Sequence, residues 1–592
     1  MKKTLLSLCV ALPAFTVVAQ DAAALTTPEA SWWALIDGAT TPGDQATDVA
    51  VDAQGNAYWY GTYGTTATDP DVKFGGEVIF QGALYDDAQG TSYGSNYSVI
   101  KTDPTGRMLW NVYTNSGDFA NNSGFCAVTS DGGVVTVAKV RHTDFMTDRN
   151  INFVDAAGDD YPVEWTCDRR YYRLAVTKLS AAGAIEWIRM IDFSTDPGAG
   201  ADGNYADFWA ETFNVSGGTV DADDNIYIAL NYRSEVSVPR ATGDPMVLTP
   251  KNVANWTGDP QATAGDFLIL ALDSHGYYRS NLQLDGNCAA SYCQKIEYAD
   301  GRLYAQGYIV GTADETLTAG GFTLSPSTVM SPLFLCLDTD LDVKWAKCCP
   351  AEQVAGKNAL QNVGISVIGE NLYICGQYNL KFSDPDDADK YVAATQGSVR
   401  EGFIVRLDAA TGEWLAARDS RDDDWNTPSA LAKTGLTGYF RVFPNPLSED
   451  KIYVFGYVMN ANVGVFLRGY DANTLIADLD GGQLNIITGG GVPSCQCGAY
   501  DAANSAVYVN ARGNQAFKLM TGKTSEAPVK WGVLAARFDL PKSSLGAIGE
   551  IAGDSSCDTP AEYYNLQGIR VSNPGHGIYI VRQGSKVTKI LK

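Results

Sequence analysis

The chain has 592 residues, a formal net charge of -25, only 19% charged residues, and 60 Gly, 31 Tyr and 3 His. Such acidity argues against nucleic acid and anionic membrane surfaces as partners, and three histidines leave little material for a Ser/His/Asp relay or a His-rich metal site. Many Gly and aromatic residues, with no long apolar pattern at helical spacing, favour short strands over helices.

The N-terminus reads as a secretory signal over 1–19, with Lys2 and Lys3 ahead of the apolar Leu5–Val18 and a small-residue cleavage site at Val17-Val18-Ala19. No later run reaches the roughly 18 apolar residues of a membrane span. The expectation is therefore an exported, soluble chain without membrane insertion. Export permits disulfides. Cys288, Cys293, Cys336, Cys348 and Cys349 fall in one repeat, where a pair is open, while buried unpaired thiols are expected for most of the others.

From Ala46 onward one unit repeats. Its first strand is Ala46–Val51 and its second is Gly55-Asn56-Ala57-Tyr58-Trp59-Tyr60-Gly61. Its third strand ends at an Asp turn (Val99–Asp103), and its fourth carries a Trp (Met108–Val112). The second strand returns near Val135, Tyr227, Tyr304, Tyr373, Tyr453 and Tyr508. The turn residue returns at Ser180, Asp273, Asp338, Asp408, Asp471 and Asp539, and the Trp at Trp187, Trp345 and Trp414. Short alternating segments bounded by Gly, Asp and Asn are the strand signature.

Seven helix-free, four-stranded units predict an all-β chain folded as a seven-bladed β-propeller over 30–540, because a lone blade buries neither sheet face. The antiparallel blades are placed at about 46–113, 124–191, 212–284, 290–348, 360–419, 438–480 and 493–540. The last blade lacks its Trp strand. Ser31–Asp37 matches that strand, with Trp33 in the repeated place, and is expected to pair beside Val533–Asp539 and close the ring. A linker over 541–560 and a small β-hairpin tail over 561–592 follow.

Links between second and third strands run long: Tyr63–Ser95, Arg141–Arg170, Arg233–Gly265, Val310–Ser331 and Tyr378–Val399. These links and the connections between blades emerge on one rim, which is the expected functional surface. The rim carries Tyr85, Tyr93, Trp165, Trp209, Trp256 and Trp425, aromatics that the repeat does not need. Ring stacking beside Asp and Asn suits a glycan or protein ligand. Calcium, the one cofactor considered, would sit on Asp196, Asp202 and Asp207 or on Asp338, Asp340 and Asp342, neither at EF-hand spacing. Acidic pairs such as Asp159/Asp160 and Asp386/Asp387 keep open a glycoside hydrolase or lyase. A purely structural surface protein is the third reading.

The phrases Val51-Asp52-Ala53-Gln54-Gly55-Asn56-Ala57-Tyr58 with Gly61, and Lys101 to Trp110, resemble a bacterial β-propeller repeat of the Asp-x-x-Gly-Asn-x-Tyr type. That resemblance implies a propeller outside the cytoplasm and no single activity. The tail, with Asn565-Leu566-Gln567-Gly568, Gly577-Ile578-Tyr579 and a basic end Lys586–Lys592, resembles the C-terminal sorting domains of type IX-secreted proteins. This second resemblance implies a secretion machinery as partner and secreted or surface placement.

Overall fold

The computed structural model describes residues 29–38, 44–66, 68–82, 85–86, 92–115, 118–141, 150–164, 172–194, 213–251, 265–311, 316–352, 360–393, 400–420, 437–446, 448–458, 464–476, 483–489, 497–519, 524–525, 528, 532–540, 562–564, 570–571, 578–583 and 586–591. Among them every regular element is a β-strand, as the composition leads one to expect. The signal segment over 1–19 and the linker over 541–560 lie outside the described residues.

Seven antiparallel runs of four strands account for most of the described chain. The first is Gln45–Val51, Ala57–Thr66, Ser92–Thr102 and Met108–Thr114. The second is Asp118–Val128, Val134–Arg141, Tyr172–Leu179 and Ile185–Phe193. The third is Phe213–Val220, Ile226–Tyr232, Asp266–Leu272 and Tyr278–Gln283. The fourth is Ala290–Ala299, Arg302–Val310, Ser331–Leu337 and Val343–Cys348. The fifth is Leu360–Ile368, Asn371–Tyr378, Glu401–Asp408 and Trp414–Asp419. The sixth is Thr437–Pro444, Lys451–Val458, Gly464–Asp471 and Gln483–Gly489. The seventh joins Gly498–Asp501, Ala506–Gly513 and Gly532–Asp539 to the N-terminal strand Glu29–Asp37, with Ile36 opposite Val533.

The repeated polar residues build turns. Asp52 Oδ1 accepts from the N–H groups of Gln54 (3.0 Å) and Asn56 (2.8 Å). Asp103, Asp221, Asp273 and Asp338 repeat this arrangement, and Asp408 and Asp471 accept instead from the N–H groups two and three residues on. Such Asx turns fix the strand ends, so these carboxylates are structural.

The core lies between sheets. One apolar cluster joins sheets one and two (Tyr58, Val99, Val134, Ala175), and others follow for each successive pair. The cluster of Ala34, Ile36, Val49, Trp59, Tyr508 and Val533 joins the seventh sheet to the first. Hydrogen bonds follow the same path. Tyr60 Oη donates to Ser123 O (3.0 Å), Lys139 Nζ to Phe213 O (3.0 Å), Asn231 Nδ2 to Ser291 O (2.8 Å) and Gln377 Nε2 to Thr437 O (3.1 Å). Asn510 Nδ2 donates to Ala46 O (3.1 Å), again from the seventh sheet to the first. First strands approach one another closely. A Cβ on Gly364 would stand 1.7 Å from Phe440 O on the next sheet. Gly364→Ala is therefore expected to cost about 2 kcal/mol, read as a lower urea midpoint.

The fourth-strand tryptophans face forward. Trp110 Nε1 donates to Ala181 O (3.1 Å) and Trp345 Nε1 to Ala409 O (3.2 Å), each on the next sheet's turn. Arg279 Nη1, donating to Thr339 O (3.0 Å), replaces the Trp in the third sheet. Two expectations need correction. In the N-terminal strand the repeated place belongs to Trp32, not Trp33. Trp32 stands opposite Arg537 as Trp110 stands opposite Lys101, and its Nε1 donates to Pro104 O (3.1 Å). A register shift between Ala30 and Trp32 makes the difference. Trp414 packs backward on Phe334 (6.2 Å between centroids) and Phe382, because its strand meets Leu407 at that residue.

The long links do not simply decorate a rim. The hairpin Asp71–Phe74/Glu77–Gln81 pairs with the outer edge of the N-terminal strand, Ile36 opposite Phe74. Asn150–Val154/Asp160–Glu164 pairs with Met108–Thr114, and Val236–Val238/Met246–Leu248 with Ile185–Phe193. Each insertion thus covers the open edge of the preceding sheet's last strand, where unpaired N–H and C=O groups need partners. The tail is a four-stranded sheet of Arg570–Val571, Glu562–Tyr564, Ile578–Gln583 and Lys586–Leu591, larger than a hairpin.

Asp44 is fully buried where the N-terminal strand meets the first sheet, accepting from Gly38 N–H (2.7 Å) and Gly64 N–H (2.9 Å). Burial pushes its carboxyl well above 3.8, and the two N–H donors only partly offset this. A raised carboxyl stabilises the fold below its unfolded value and loses that contribution as pH rises through the folded value. Urea midpoints above pH 4 are expected to fall in the parent relative to Asp44→Asn, by up to about 1.4 kcal/mol per pH unit.

Candidate functional site

The first strands of all seven sheets surround a central cavity of about 650 Å3. Its lining comes from the C-terminal halves of those strands, among them Asp48–Val51, Lys295, Glu297–Ala299 and Arg441–Pro444. It therefore lies toward the end that carries the tight turns after each first strand, away from the long links.

Bulges set which side chains enter. Pairing slips between Ala46 and Asp48, between Val215 and Gly217, between Cys293 and Lys295, and between Tyr439 and Arg441. A bulge re-aims the residues that follow it. Pairing in the fifth sheet's first strand slips too, between Gln361 and Gly364, so of these five resumption points three are charged and two are glycine.

Two of the four charges form a close ion pair, and Asp48 and Lys295 do not. Arg441 grips Glu297 with both guanidinium nitrogens, Nη2 to Oε1 at 2.7 Å and Nη1 to Oε2 at 3.1 Å. Burial alone would lower the Arg441 pKa, but the Glu297 carboxylate outweighs it and the net shift is upward. Asp48 accepts from Val49 N–H (3.0 Å) and Cys126 N–H (3.1 Å). Burial raises its carboxyl, opposed by the field of Lys295 and Arg441. Lys295 extends over Gly217: a Cβ there would stand 3.0 Å from its Cδ and 3.4 Å from its Nζ. No hydrogen-bond or ion-pair partner reaches the Lys295 ammonium among the described residues. Tyr298 and Tyr500, both partly exposed, also line the cavity, while Phe443 is buried in the core behind it.

The sites expected from sequence fare differently. Trp165, Trp209, Trp256, Trp425, Asp196, Asp202 and Asp207 lie outside the described residues. Tyr85 and Tyr93 pair directly across a short strand extension. Asp338 is engaged by the protein itself. Its Oδ1 accepts from Asp340 N–H (3.1 Å) and Asp342 N–H (2.9 Å), while Lys344 Nζ holds its Oδ2 at 2.6 Å. Asp340 pairs with Arg279 at 2.6 Å. Among the described residues no three His, Cys, Asp or Glu side chains gather as metal ligands. Asp386 pairs with Lys347, and Asp387 with Lys390 at 3.8 Å, so this acidic pair is neutralised locally. Cys288, Cys293, Cys336, Cys348 and Cys349 are all buried, and no disulfide joins any two of them.

Asp48, Lys295, Glu297 and Arg441 were not singled out by the sequence. The signal was a charge inside an otherwise apolar first strand, as in Tyr439-Phe440-Arg441-Val442-Phe443.

No family model matches the chain, and no curated protein matches it. Solved structures give distant likenesses. A protein of unknown function from Dyadobacter fermentans has a TM-score of 0.32 at 10% identity, covering 72% of this chain and 96% of that one. Quinohemoprotein alcohol dehydrogenase from Comamonas testosteroni has a TM-score of 0.33 at 11% identity, covering 89% and 79%. A europium-containing methanol dehydrogenase has a TM-score of 0.30 at 11% identity, covering 87% and 93%. Likenesses this distant say nothing of this chain's chemistry.

Proposed function

We propose that the seven four-stranded sheets are blades of a β-propeller closed by Glu29–Asp37, and that this ring is a non-enzymatic binding module for a glycan or protein. The observation that carries the reading is the cavity of about 650 Å3 framed by all seven first strands. A rigid concave site with aromatic surface and a few oriented polar groups suits ligand recognition. The protein acts outside the cytoplasm, secreted or at the cell surface. The N-terminal signal starts its export, and the tail sheet with its basic end engages a secretion machinery of the type IX kind.

The test is saturable binding of the mature chain to glycan and protein arrays, with and without a calcium chelator. Binding that survives deletion of 87–91 and of 252–264 places the ligand in the cavity. Binding lost with either deletion places it at the long links. No binding on either array overturns the reading. A carbohydrate-active enzyme is the second reading, because Asp48 and Glu297 reach one cavity from different sheets. New reducing ends released from a bound glycan, and lost in Asp48→Asn, would mark it.

A further inference from the structure

We propose that the central cavity takes a carboxylated sugar, a uronic acid or a glycan ending in one, and that Lys295 is the residue that selects the acid. The proposal rests on the reading of the ring as a ligand-binding module and adds the ligand class.

Its basis is the division of labour among four charges. Arg441 and Glu297 satisfy each other through a two-point contact at 2.7 and 3.1 Å. Asp48 has two backbone donors of its own. That leaves the Lys295 ammonium, which feels the field of Asp48 but has no hydrogen bond or close ion pair among the described residues, with three donors and an open cavity beside it. A cation held this way recruits an anion through charge-assisted hydrogen bonds. The site is also built for it. Gly217 lacks the Cβ that would press on the lysine stem, at 3.0 Å from Cδ, so the side chain can lie flat.

The rest of the lining chooses the kind of anion. Asp48 and Glu297 are acceptors with lone pairs to spare, and they favour a ligand that also brings hydroxyl donors. A bare inorganic anion or a simple fatty acid brings none. Tyr298 and Tyr500 pack against the sheet cores yet stay partly exposed at the turn end, which leaves aromatic surface beside a sugar ring. A volume of about 650 Å3 is within the usual range for small-ligand sites. A hydroxylated ring with one carboxylate satisfies every one of these groups.

The experiment is calorimetric titration of the full mature chain with galacturonate, glucuronate, galactose, acetate and sulfate. Lys295→Met is the diagnostic variant, because it keeps an unbranched stem over Gly217 and removes the charge. Lys295→Arg tests rescue, and thermal melts confirm that each variant is folded. The expected result is uronate binding at least about tenfold tighter than galactose or acetate, with that preference lost in Lys295→Met and regained in Lys295→Arg. Two outcomes sink the inference alone: galactose binding as well as a uronate, or a folded Lys295→Met keeping the preference. Acetate or sulfate matching the uronates removes the sugar from it. Binding to no probe, together with silent arrays, removes the binding-module reading as well.

Discussion

A chain truncated before Gly38 is expected to lose its cooperative fold. Glu29–Asp37 supplies the fourth strand of the seventh sheet, and without it the Gly532–Asp539 edge stands unpaired. Ala34 and Ile36 leave a cluster that also holds Trp59, Tyr508 and Val533. Trp32 leaves the turn at Gly106, where a Cβ would stand 2.5 Å from the indole. Each large buried side chain is worth about 2–3 kcal/mol, so the sum reaches the whole stability of about 5–15 kcal/mol usual for folded proteins. Circular dichroism melts and size-exclusion profiles should show aggregated or expanded protein, and a peptide of residues 29–38 added in trans should restore part of the native transition. Point variants sharpen this. Trp32→Ala is expected to cost about 3–5 kcal/mol, more than Trp33→Ala. The reverse order would mean that the strand sits one residue out of the register described.

The second large effect is expected at Arg441. Arg441→Met leaves Glu297 as an unpaired carboxylate in the cavity wall, with side-chain exposures of only 25% and 23% for the pair. Breaking one partner of such a pair costs about 3–5 kcal/mol, whereas replacing both is often close to neutral. Arg441→Met combined with Glu297→Leu should therefore recover most of the loss, and a double-mutant cycle in urea should give strong coupling. Additive single effects would show that the two-point contact does not form in solution.

Much of the fold could be read from the chain because the repeat writes its own turns. An Asp that binds the N–H groups two and four residues on must recur wherever the same turn recurs, as at Asp52, Asp221 and Asp273. Forward-packing tryptophans such as Trp110 and Trp345 repeat for the same reason. Three features escaped. Trp32 and Trp33 are adjacent, and only the register shift after Ala30 decides between them. The hairpins within the long links pair with another unit's strand, so their partners are set by the sheet arrangement and not by local pattern. The cavity charges depend on bulges, and a bulge leaves no fixed residue signature. Loop length pointed to the long-link end, while the enclosed space lies at the other.

The pairing of Ile36 with Val533 also has a temporal consequence. Glu29–Asp37 can meet the hairpin Asp71–Phe74 early in synthesis, at Ile36 and Asp37 only, but its long partner Gly532–Asp539 does not exist until nearly the entire polypeptide has followed it. The seventh sheet must stay incomplete through most of the chain's synthesis, with high contact order slowing the last step. A premature stop anywhere before that final partner would yield an orphaned fragment and not a smaller working copy, so quality control needs to inspect only one seam.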